Sequence, residues 1–229
     1  MELIKNTRAL VDSGQIDAGQ ALELASSFSR ERQRELVEAS LEIVLGMRKL
    51  VPDELLPKYR EVVRDLFGKR ARELGWSPKK GESEDDSLLR PILVPAVAAE
   101  GNDEELVATA KTLSDRWLKD RNSVAPEMAA GVLSVTAANS GREFYQKLVT
   151  ELRTSKDRRE RQKIVDAIAR FRQPDIAADA MLLLFDSELD IRDVMPWLGG
   201  FQAQPETERG LGFCEGKLRP ASWPSAFAF

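Results

Sequence analysis

The chain has 229 residues, 42% hydrophobic and 31% charged, with 34 basic against 38 acidic side chains and a net charge of −4. That is enough for one large or two small cores, too apolar for a disordered chain, and too evenly mixed in charge to call for nucleic acid or an anionic membrane as partner. A single cysteine, Cys214, excludes an internal disulfide, and the absence of histidine excludes imidazole bases, Ser-His-Asp and Cys-His nucleophiles, and any zinc site with a histidine ligand.

In chain order, the opening MELIKNTRALVDSG lacks the basic-then-apolar pattern of a signal peptide. The most apolar runs, ILVPAVAA at 92–99 and MLLLF at 181–185, fall far short of the roughly 20 residues that span a bilayer. The expectation is a soluble, cytoplasmic protein. Apolar spacing predicts helices near 2–12, 17–28, 31–50, 53–74, 84–99, 103–121, 126–138, 141–154, 157–171, 175–186 and 190–199. In the third, Leu36, Ser40, Ile43, Val44, Met47 and Leu50 share one stripe. Pro52, Pro126 and Pro174 sit where a first-turn proline is tolerated. Ser83 with Asp86, Asn102 with Glu105 and Asp190 with Asp193 read as caps with an acid three residues on. Pro91 and Pro95 each remove a backbone donor inside the fifth helix, which predicts a kink or break there.

Strand-like alternation and hairpin turns are missing, and the second half repeats. At an offset of 33 residues, Gly141 aligns with Pro174, Leu148 with Met181, Val149 with Leu182 and Leu152 with Phe185. A helix pair recurring every few tens of residues predicts an all-α fold. More finely, it predicts an α-solenoid of antiparallel helix pairs, HEAT- or armadillo-like, curved or bowl-shaped. No phosphate-binding glycine loop and no EF-hand spacing occurs. The basic run KDRRERQK at 156–163 is interrupted by Asp157 and Glu160 and followed by a stripe of Ile164, Ile168 and Phe171. It reads as a solvated helix face rather than a phosphate-binding surface.

LGWSPKKGESEDDSLLRP, residues 74–91, resembles a segment of the C-terminal helical domain of zinc aminopeptidases of the aminopeptidase N, puromycin-sensitive and endoplasmic-reticulum type. There a Leu-Gly-Trp and a short polar loop precede a Leu-Arg that opens a helix. SGQIDAGQALELASSFSRE at 13–31, GNDEELVATAKTLSDRWLKD at 101–120, AANSGREFYQKLVTELRTSKD at 137–157, RQKIVDAIARFRQPDIAADAMLLLFD at 161–186 and DIRDVMPWLGGFQAQPETER at 190–209 are similar to that domain's other segments, in the same order. The resemblance implies one domain over residues 1–209, followed by an irregular, divergent tail at 210–229. In that family zinc is held by a His-Glu-x-x-His helix and a later Glu in a separate catalytic domain, so this chain carries no catalytic residue, metal ligand or cofactor site of its own.

The resemblance places Gly75, Trp76, Gly81, Glu82, Leu89 and Arg90 in the family motif. Trp76 is a candidate for lining a peptide groove, and Glu82 and Arg90 for contacting a substrate terminus. The structural reading is preferred: Gly75 stops a helix, Trp76 wedges between helices, Ser83 starts the next, and Glu82 and Arg90 tie the loop down. Arg142 and Tyr145 are candidate contacts to a peptide or an interface. The resemblance implies a non-catalytic domain that encloses the peptide substrate of an aminopeptidase, with a catalytic peptidase domain, or a peptide or protein on its concave face, as partner. The alternatives are a stand-alone helical-repeat interaction scaffold and, third, carboxylate-only chemistry, for which no acid/base pair is evident.

Overall fold

The computed structural model describes residues 16–183. Among them every regular element is helical and there is no strand. In order these are α1 (Ala18–Phe28), α2 (Arg34–Gly46), 3₁₀ turns at Met47–Leu50 and Asp53–Leu55, α3 (Leu56–Val63), a π segment (Arg64–Gly68) and α4 (Lys69–Leu74). They are followed by α5 (Glu84–Glu100), α6 (Glu104–Lys119), a 3₁₀ turn at Arg121–Ser123, α7 (Pro126–Ala138), α8 (Arg142–Thr154), α9 (Arg158–Ile168) and α10 (Pro174–Leu182). The expected helices at 2–12 and 190–199, Cys214 and the tail at 210–229 lie outside the described residues. No helix among the described residues is long and apolar enough to cross a membrane. The chain divides into two compact units at the Val135–Thr136 peptide, within α7.

In the first unit, α1 opens with a capping box. Asp17 accepts from the Gln20 amide at 3.0 Å, and Gln20 Oε1 accepts from the Asp17 amide at 3.2 Å. Ala21 and Ala25, both fully buried, let α1 lie close against α2. The stripe along α2 is buried at Ser40, Ile43, Val44 and Met47, and the Ser40 hydroxyl donates back to the Leu36 carbonyl at 2.8 Å. Leu50 departs from that stripe and is 62% exposed. The helix gives way to a 3₁₀ turn at Met47, and Leu50 falls where the chain turns away.

The central element is α5, which packs on α2, α3, the π segment, α4 and α6. The break expected at Pro91 and Pro95 does not occur; α5 runs unbroken through both. Close packing explains how. A Cβ on Gly131 of α7 would lie 2.6 Å from Pro95 Cγ, so the missing side chain makes room for the proline ring. Neighbours on this many sides override the local penalty of proline. The cap of α6 also moves by one residue. Asn102 takes a left-handed φ of 49°, and Asp103 supplies the cap, accepting from the Leu106 amide at 3.2 Å.

The π segment has a consequence for register. Residues eight apart on an α-helix point about 80° apart, whereas absorbing one residue in a wider turn brings them to within about 20°. Arg64 and Arg72 accordingly reach the same corner. Arg64 donates to the Gly101 carbonyl at 2.5 Å, and Arg72 pairs with the buried Asp103 at 2.5 Å.

In the second unit α8 packs against α9. Phe171 fills the core between Phe144, at a ring separation of 6.4 Å, and Tyr145, which it meets edge-on at 5.6 Å and 88°. Asp157 caps α9 by accepting from the amides of Arg159 and Glu160, and Ile164, Val165, Ala167 and Ile168 form its buried stripe. Positions 33 apart touch one another. Gln173 donates to the Ser140 carbonyl at 2.9 Å, and Arg142 pairs with Asp175 at 2.5 Å. Buried Phe144 and Tyr145 correspond to buried Ala177 and Ala178 at the same spacing.

Candidate functional site

The segment from Arg70 to Arg90, in the first unit, joins α4 to α5 and surrounds a surface cleft of about 260 Å³. It is built from three local devices. The first is the stop at Gly75, which takes φ 62° and ψ −178°, a backbone region almost confined to glycine, while its amide donates to the Ala71 carbonyl at 2.9 Å. The turn throws Trp76 inward. Its ring is 4% exposed, and its indole N–H donates to the Leu106 carbonyl at 3.0 Å, so both the apolar body and the polar edge are satisfied.

The second device is the loop itself. Lys79 donates its amide to Glu82 Oε2 at 3.1 Å, and the Glu82 amide donates to the Lys79 carbonyl at 3.2 Å. Gly81 completes the turn with a φ of 78°. The Lys79 ammonium group donates to the Glu73 carbonyl, binding the loop to the end of α4. The third device is the start of α5. Ser83 accepts from the Asp86 amide at 3.1 Å, and Glu84, Asp85 and Asp86 complement the positive helix end. Asp86 also pairs with Arg70 at 2.5 Å.

Arg90 closes the joint. It is 2% exposed, and every nitrogen of its guanidinium is engaged. Nε donates to the Leu74 carbonyl at 3.3 Å, one terminal nitrogen to Glu82 Oε1 at 2.9 Å, and the other to Glu82 Oε2. Leu89 beside it is fully buried in the core. The Arg90 guanidinium holds the Glu82 carboxyl below its ordinary range, with a smaller contribution from the Lys79 amide. With both oxygens occupied and its charge fixed, Glu82 is a poor proton acceptor for any bound substrate.

Gly75, Trp76, Gly81, Glu82, Leu89 and Arg90 thus come together at one joint. Arg142 and Tyr145 come together in the second unit. Arg142, at the start of α8, pairs with Asp175 at 2.5 Å and with Asp179, and lies 5.7 Å from the centre of the Tyr145 ring. Asp179 and Asp175 raise the affinity of the guanidinium for its proton, and Arg142 in turn holds Asp175 below the usual carboxylate range. Burial, with a smaller push from Asp179, moves the Tyr145 hydroxyl up to about 12, so it stays protonated at neutral pH. Arg70, Asp175 and Asp179 escaped the sequence reading, which named Asp86 only as the acid of a cap and not as the partner of Arg70. Their only signal is an unmatched charge on a helix face, which names no partner.

The family model described as ERAP1-like C-terminal domain matches residues 1–212. The chain is 27% identical over 206 residues to aminopeptidase M1 of Arabidopsis thaliana, covering 86% of this chain and 23% of that protein. It is 27% identical over 191 residues to aminopeptidase M1-B of Oryza sativa subsp. japonica, covering 80% of this chain and 22% of that one. A third relative, puromycin-sensitive aminopeptidase of Caenorhabditis elegans, is 22% identical over 150 residues, 64% of this chain and 16% of that protein. The chain spans less than a quarter of the length of these relatives.

Proposed function

The chain belongs to the ERAP1-like C-terminal domain family, and from that membership we propose that it is the non-catalytic, substrate-enclosing helical domain of an aminopeptidase. In this reading it works with a catalytic zinc domain, carried either by a longer chain or by a separate one, and bounds the space that holds the peptide. The single observation that carries the reading is the match over residues 1–212 to a domain that forms less than a quarter of its aminopeptidase relatives. The family's zinc does not fit this chain, because no histidine is present to supply a His-Glu-x-x-His site. No hydrolytic step is therefore assigned to its residues.

Two tests bear on this. Coding sequence adjoining this chain should contain a His-Glu-x-x-His segment, and a complete open reading frame flanked by unrelated genes would favour a free-standing protein. Aminoacyl-coumarin substrates incubated with the chain and added zinc should release no fluorophore above blank; turnover abolished by a chelator would overturn the non-catalytic assignment. A second reading, a helical-repeat scaffold acting alone in the cytoplasm, draws on the contacts between positions 33 apart in the second unit. It predicts capture of a protein partner without any peptidase.

A further inference from the structure

We draw no further inference here: the strongest candidate, the apolar surface patch that the exposed Leu88 and Ile92 form one turn apart on α5, carries none because nothing in the structure shows what covers it.

Discussion

Arg90 and Arg142 are both forked arginines held by carboxylates, one in each compact unit, yet the Arg90 side chain is 2% exposed and that of Arg142 39%. Arg90 spends both terminal nitrogens on one glutamate and its Nε on a backbone carbonyl, so its charge is matched at a joint where Arg90 itself is almost fully covered and Glu82 is 14% exposed. Arg142 divides its nitrogens between two aspartates that are themselves 60% and 44% exposed. The geometry of the hydrogen bonds is similar; the dielectric around them is not. A buried pair punishes the loss of either partner, because the survivor is stranded without water, whereas an exposed pair is screened and its members rehydrate on separation.

That contrast can be broken by substitution. Arg90→Met retains most of the apolar stem and removes the charge, and it should cost about 3 kcal/mol in a denaturant melt. Acid sharpens the same test. Glu82 has a depressed folded-state pKa, so its contribution is complete above its unfolded value near 4.3 and is lost as pH falls through the lower folded value. The stability gap between the parent chain and Arg90→Met should therefore narrow below about pH 4. A gap that stays constant from about pH 7 to pH 3 would show that the pair is not the source of the loss.

The next effect in size concerns the backbone. Gly75 occupies a region nearly closed to other residues, so Gly75→Ala should cost about 2 kcal/mol. Gly141, at the head of α8, has φ −112° and open space where a Cβ would go, so Gly141→Ala should stay within about 0.5 kcal/mol. Equal losses at the two glycines would remove the distinction between a strained joint and an ordinary helix start. The smallest effect is expected at Arg142→Ala, below about 1 kcal/mol and diminished further in high salt. A salt-independent loss as large as that of Arg90→Met would mean that exposure does not set the weight of these pairs.

How much of this was legible in the sequence differs from helix to helix. In α6, α8 and α9 charged and apolar faces alternate at helical spacing, and the buried residues Leu106, Ala110, Leu113 and Trp117, or Ile164, Val165 and Ile168, follow directly from it. α5 and α7 are apolar around most of their circumference, so periodicity says little about which side faces inward. The prolines of α5 pointed to an interruption that packing against Gly131 and five neighbouring segments removes. The cap at Asp103 was misplaced by one residue because Asn102 and Asp103 are chemically equivalent caps; only the left-handed turn at Asn102 distinguishes them.

The sequence alone determined the all-helical class, the motif residues from Gly75 to Arg90, the family to which they point and the lack of any histidine for zinc. These depend on residue identity and on spacings of three or four, which a linear string records. Only the tertiary structure decided that Arg90 is a buried tie and Arg142 an exposed one, and that a π turn aligns Arg64 with Arg72. The physical reason is common to both. The energy of a charge is set by what surrounds it, and the partners that surround these charges lie between eight and 37 residues away along the chain.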